Sequence, residues 1–234
     1  MKRRKASGNP SSAIVLIVCL FVAVLAGSIG IQLLTSSDFK GFGRVLPGEP
    51  IVTFLPAGGA EGQKGAGKYN WKDHPVFIVG DSLTQGALKD ISNAVAGATI
   101  DGKVGRNMSE GLAIIRGWDD AGILSDDAII VVCLAHNITG GTLTDAEQIV
   151  NMVKPGQSLI MMTGHGYSSM APINEYIRGL PPGNNYITVA DWDFTIAQCP
   201  ELLSDDGVHV GKKQGNELYA NLILRALESA KPKP

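Results

Sequence analysis

From about Trp71 onward the chain alternates two kinds of apolar pattern. Strand-like runs fall at 76–79, 98–100, 128–134, 158–163 and 186–190. Several are continuously apolar rather than alternating, the pattern of strands buried on both faces. Helix-like stretches lie between them, one beginning near Thr84 and another running over 111–118. Thr144-Asp145-Ala146-Glu147 reads as a capping box ahead of Ile149, Val150 and Val153, with Pro155-Gly156 as a stop. A last helix over about 214–230 sets Leu218, Leu222 and Ala226 on one stripe, with Tyr219, Ile223 and Leu227 beside it. Such alternation predicts a five-stranded parallel sheet between two helical layers, a three-layer α/β/α sandwich. In open sheets of this kind, chemistry collects at the carboxyl ends of the strands.

The pattern before residue 71 is different. Lys2-Arg3-Arg4-Lys5 precedes a run over 13–34 without a charged residue. That is long enough to cross a bilayer, and the basic residues favour the cytoplasmic side. It predicts a cytoplasmic tail over 1–12 and a transmembrane signal anchor over 13–34, with the remainder outside the cell membrane. Val24-Leu25-Ala26 also resembles a signal-peptidase site, so a cleaved signal peptide is the alternative. The apolar run continues through Leu33 and Leu34, longer than an ordinary signal core, which favours the anchor. Residues 35–70, rich in glycine and containing Pro47-Gly48-Glu49-Pro50, read as a flexible linker. Residues 71–234 then form the outer domain.

Composition narrows the classes. The 234 residues are 44% hydrophobic and 18% charged, with a formal net charge of −2. A nucleic-acid binder normally carries a basic excess, which is missing here. Of the three cysteines, Cys19 lies in the apolar run; Cys133 and Cys199 read as small buried thiols, with a disulfide between them as the alternative. No Cys/His spacing suggests zinc.

Four segments at predicted strand ends carry candidate chemistry. Gly80-Asp81-Ser82-Leu83-Thr84 puts a serine on a strand-to-helix turn, as a nucleophile or as a helix cap. Asp205-Asp206-Gly207-Val208-His209 precedes the last helix. A serine needs a general base, and a histidine base needs an acceptor on its other nitrogen. Asp206, three residues before His209 across a glycine turn, can supply that acceptor. Gly105 and Asn137 follow the second and third strands, where a backbone N–H and a side-chain amide could face a developing oxyanion. In isolation each is equally a turn residue.

The order Ser82, Gly105, Asn137, His209 resembles the four blocks of the SGNH (GDSL) hydrolases. Asp101-Gly102-Lys103-Val104-Gly105-Arg106 and Leu203-Ser204-Asp205-Asp206-Gly207-Val208-His209 are similar to the extracellular SGNH domain of bacterial peptidoglycan O-acetyltransferases, over roughly residues 74–228. The resemblance implies a flavodoxin-like fold and a serine esterase or acyltransferase that needs no cofactor. Ser82 would be acylated, and His209, oriented by Asp206, would serve as base. Ser82 N–H, Gly105 N–H and the Asn137 side chain would form the oxyanion hole. The implied substrate is an O-acetylated cell-wall glycan, a surface polysaccharide or a small ester. The family's acetyltransferases join this domain to a many-spanning membrane module. With one predicted span here, a separate membrane protein would donate acyl groups, or water would accept them. One block departs from the family: Ala135-His136-Asn137-Ile138 stands where Gly-Thr-Asn-Gly is usual. A glycan-binding module without catalysis and a lipase-like carboxylesterase are the rival readings.

Other residues near the strand ends are candidates for binding substrate. His136 and His165 could line an acceptor site, and with His209 could conceivably gather a metal ion, although the serine chemistry needs none. Trp192 either stacks on a sugar or belongs to the core. Arg106 either pairs with a substrate carboxylate or serves a surface or helix-capping role. His74 precedes the first strand and reads as structural.

Overall fold

A computed structural model describes residues 69–234. The predicted tail and anchor, and the linker up to residue 68, lie outside the described residues. Among the described residues no helix is long and apolar enough to cross a membrane.

Five strands form one parallel sheet: β1 (Val76–Gly80), β2 (Thr99–Gly102), β3 (Ile129–Cys133), β4 (Ser158–Met162) and β5 (Ile187–Ala190). Their spatial order is β2-β1-β3-β4-β5. All five coincide with the predicted runs. The chain leaves β1 for β2 on one side and builds β3, β4 and β5 on the other. The topological switch point therefore lies between β1 and β3, where a doubly wound sheet opens a crevice. Gly80 is opposite both Gly102 and Cys133 in register, so the carboxyl ends of three strands are level there.

Alternate strand residues feed two cores. Phe77, Val79, Ile130, Val132, Leu159 and Met161 pack under helices Met108–Asp120, Thr142–Met152 and Ala171–Arg178. Val76, Ile78, Ile129, Val131, Ile160 and Met162 pack under helices Leu88–Ala94, Trp192–Ala197 and Lys213–Glu228. Both faces are covered, which is why β1, β3 and β4 read as unbroken apolar runs. In the last helix Tyr219, Leu222, Ile223, Ala226 and Leu227 are buried and Leu218 is half-buried, close to the predicted stripe.

One local expectation is corrected. The helix expected to start at a Thr144 capping box begins two residues earlier, at Thr142. Its cap is Gly141, which has no side chain to bond, and the Thr142 hydroxyl accepts the Thr139 N–H at 2.8 Å. A reciprocal capping box does occur, between Asn107 and Glu110, and starts the helix before β3. Tyr69 stacks on His74 at 4.5 Å between ring centres, and Asn70 caps the turn Trp71–Asp73. His74 lies at the amino end of β1, against the Asp127 carbonyl at 3.1 Å.

Candidate active site

The turn after β1 is built around Asp81. Its carboxylate caps the short helix Ser82–Gly86, accepting the Leu83 N–H at 3.0 Å. Ser82 is consequently not the cap but the first helical residue. The first N–H groups of a helix have no carbonyl partner within it, so the Ser82 N–H is available to a ligand. Thr84 anchors the same helix from below through a buried hydroxyl pair with Tyr219 at 3.0 Å. Cys133, beside them, is buried, and burial pushes its thiol up to about 12. Cys133 and Cys199 are not joined in a disulfide.

A second loop meets this turn from the far end of the chain. Leu203 and Val210 form an antiparallel bridge, and Ser204 N–H donates to the His209 carbonyl at 2.7 Å. The loop reverses at Gly207, whose φ of 67° is a conformation other residues adopt only with strain. That reversal returns the Asp206 carboxylate onto His209: Nδ1 to Oδ2 is 2.7 Å. The other oxygen of Asp206 accepts the Val208 and His209 N–H groups, both at 2.9 Å. The Val208 N–H first, then the His209 side chain and N–H, hold the Asp206 carboxyl down to about 2.

Ser82 Oγ lies 2.9 Å from His209 Nε2. A carboxylate can only accept, so His209 Nδ1 carries the proton and Nε2 presents its lone pair to the Ser82 hydroxyl. Residues 82, 206 and 209 thus form one line of donors and acceptors, able to move a proton off the serine as it attacks.

Gly105 and Asn137 converge from two other strand ends. The loop after β2 is tied to the serine turn by Lys103 N–H to the Gly80 carbonyl at 3.1 Å and Val104 N–H to Gln85 Oε1 at 2.9 Å. Gly105 takes a φ of 75°, again a glycine conformation. The Asn137 amide donates to the Arg106 carbonyl at 3.0 Å, fixing the side chain beside Gly105. An amide has two N–H bonds, so the second remains for a ligand.

The other candidates fall differently. Arg106 is buried and points inward: its guanidinium bonds the Gly80 and Asp101 carbonyls and pairs with the Asp101 carboxylate at 2.6 Å, leaving no fork for a substrate. Trp192 is fully buried, edge-on to Tyr219 at 5.0 Å, and belongs to the core. His136 is also inside. Its Nδ1 donates to Asp81 Oδ2 at 3.0 Å and its Nε2 accepts the His165 N–H at 3.2 Å. His165 stays at the surface, its Nδ1 donating to Asp193 at 2.8 Å. The three imidazoles do not gather around a metal: Nε2 of His136 takes the His165 N–H and Nε2 of His209 faces Ser82. Among the described residues no group of three or more His, Cys, Asp or Glu is placed to hold one.

Sequence reasoning missed Asp81 and Asp193 as partners of His136 and His165. The signal existed in both cases. Asp81 precedes a serine at a helix start, a capping position. Asp193 stands in Asp191-Trp192-Asp193 after the fifth strand, where the tryptophan drew the attention.

The catalytic domain of peptidoglycan O-acetyltransferase A (OatA) from Streptococcus pneumoniae, solved with a methylsulfonyl adduct, superposes with a TM-score of 0.64. It is 24% identical and covers 68% of this chain and 97% of that one. A lipolytic G-D-S-L family protein from Veillonella parvula DSM 2008 gives 0.52 at 16% identity, over 65% of this chain and 97% of that one. This is the SGNH hydrolase fold. In sequence, the SGNH domain is 27% identical over 156 residues to a Bacillus subtilis (strain 168) protein named "Putative peptidoglycan O-acetyltransferase YrhL". The match takes in 66% of this chain but only 24% of the relative, so the chain spans about a quarter of that protein's length. No protein-family model matches the chain.

Two consequences of this arrangement are measurable. Asn137→Ala is expected to slow ester turnover by about 10²–10³-fold, the usual effect of deleting one oxyanion donor. A fall in kcat/KM of less than threefold would mean that the amide faces no oxyanion. The second concerns acid. Asp206 is depressed to about 2 from an ordinary 3.8, so its stabilising contribution is full above the ordinary value and is lost as pH falls towards 2. The melting temperature of wild type minus that of Asp206→Asn should hold constant above about pH 5 and shrink towards zero by about pH 2. A difference that grows on acidification would contradict the depressed carboxyl.

Proposed function

We propose that this chain is a serine esterase or O-acyltransferase that works through an acyl-Ser82 intermediate. Its substrates are O-acetyl groups of a cell-wall glycan or surface polysaccharide, met outside the membrane on a domain tethered by segment 13–34. The observation that carries the reading is the unbroken line from Ser82 Oγ to His209 Nε2 at 2.9 Å and from His209 Nδ1 to Asp206 at 2.7 Å. The names of the Bacillus relative and of the OatA domain support the choice of acetyl group and glycan.

In the first half-reaction Ser82 Oγ bonds to the ester carbonyl carbon and its proton passes to His209 Nε2. Asp206, charged throughout, stabilises the imidazolium. The carbonyl oxygen becomes an oxyanion within reach of the Ser82 and Gly105 N–H groups and the Asn137 amide. Collapse breaks the bond to the leaving alcohol, which takes the proton from His209. In the second half, water or an acceptor hydroxyl gives its proton to His209 and bonds to the acyl carbon. The bond to Ser82 breaks, and Ser82 recovers the proton. Water makes the chain an esterase; a glycan hydroxyl makes it a transferase.

The test is to supply the purified chain with p-nitrophenyl acetate, with and without chitooligosaccharide acceptors. Acetate release, or acetylated oligosaccharide, is expected. A folded protein that turns over no acetyl ester and takes up no serine-directed reagent would leave only a binding module and end this reading.

A further inference from the structure

Beside the triad lies a cavity of about 570 Å³, lined among others by His165, Gly166, Tyr167, Glu175, Arg178 and Asp193. Its volume falls in the roughly 300–1,000 Å³ range of small-molecule sites, with room for a disaccharide. One wall adjoins the loop that carries the base: a Cβ built on Gly166 would lie 2.5 Å from Val208 Cγ2 and 3.2 Å from the Gly207 carbonyl. Another contact leads to the nucleophile, since the His165 N–H bonds His136, which bonds Asp81, the residue before Ser82.

His165 is prepared for a hydroxyl. Asp193 accepts from its Nδ1 at 2.8 Å, which places the proton there and leaves Nε2 as an acceptor with no hydrogen-bond partner among the described residues. Asp193 is itself fixed, by Arg178 at 2.8 Å and by its own N–H on Thr163 at 3.0 Å. This repeats the carboxylate–imidazole pairing of Asp206 and His209. At the rim the Tyr167 ring is 59% exposed, a flat apolar face beside polar groups.

Charge narrows the ligand further. Arg178 already spends its guanidinium on Asp191 and Asp193. Glu175 adds a further carboxylate to the lining. The lining thus holds two carboxylates, Glu175 and Asp193, beside an arginine already paired with Asp191 and Asp193, so the site disfavours anions.

We propose that this cavity is the subsite for the acyl acceptor and that it takes an uncharged sugar. One sugar hydroxyl donates to His165 Nε2 while the ring lies against Tyr167. The proposal rests on the acyl-transfer reading for its purpose, but not for its binding chemistry. Isothermal titration of the full-length chain tests it, with tetraacetylchitotetraose as the neutral probe and tetragalacturonate as an anionic one of equal length. The neutral tetramer should bind wild type and Ser82→Ala alike. Tyr167→Ala, which removes only an exposed ring, and His165→Ala should each raise its Kd at least about tenfold, and the anionic tetramer should bind at least that much more weakly. No binding of the neutral tetramer, a change under twofold in Tyr167→Ala, or equal affinity for the anionic tetramer would each overturn the subsite. Binding that depends on Tyr167 in a chain without any esterase activity would leave the subsite standing and sink the acyl-transfer reading instead.

Discussion

Ser82→Ala is expected to lower turnover of an activated acetyl ester by about 10⁴–10⁶-fold, to the level that oxyanion donors and binding alone supply. The fold should survive the change. Ser82 is half-buried, its hydroxyl bonds only His209 among the described residues, and the helix it begins is capped by Asp81. Its backbone N–H is retained in the variant, so the loss reports the nucleophile and not the oxyanion site. Activity within tenfold of wild type, in protein with an unchanged melting temperature, would remove Ser82 from the mechanism.

His209→Ala should be nearly as damaging, and the comparison between the two is the sharper test. The serine hydroxyl and the imidazole act as one unit: a serine without its base is a weak nucleophile, and a base without its serine has no proton to take. Their effects should therefore not multiply. The double variant should be within about threefold of the slower single variant, because groups that work in one step are lost together. Multiplying losses would mean that the two residues contribute to separate steps. The imidazole is half exposed, so its removal leaves no buried cavity and little cost to stability.

The sheet was legible because burial on both faces writes itself directly into the sequence. Val76–Gly80, Ile129–Cys133 and Ser158–Met162 have no exposed side, so their runs have no polar interruptions. Helix starts were harder. Gly141 begins a helix without any side-chain signal, while Thr144 and Glu147, which look like a cap, lie inside it. The Ser82, Asp206 and His209 line could be anticipated because the last two sit in one short loop and the serine is on a strand-to-helix turn. The fates of Arg106, His136 and Trp192 could not be anticipated in the same way. Each is a residue type that serves equally well facing in or facing out, and only the fold decides. Arg106 found carbonyls and Asp101 beneath the crevice, His136 found Asp81, and Trp192 found Tyr219. His165 shows the converse. Its position at the end of β4 marked it as a candidate, but its orientation depends on Asp193, 28 residues on, past the helix Ala171–Arg178 and β5.

The most direct measurement is covalent. The full chain treated with methanesulfonyl fluoride, then digested and sequenced by mass spectrometry, should carry one methylsulfonyl group, on Ser82, with loss of esterase activity in step with labelling. His209→Ala should label far more slowly, because the reagent needs the same activated oxygen as the substrate. Stoichiometric labelling elsewhere with Ser82 unmodified, or full activity in a chain sulfonylated at Ser82, would contradict the account.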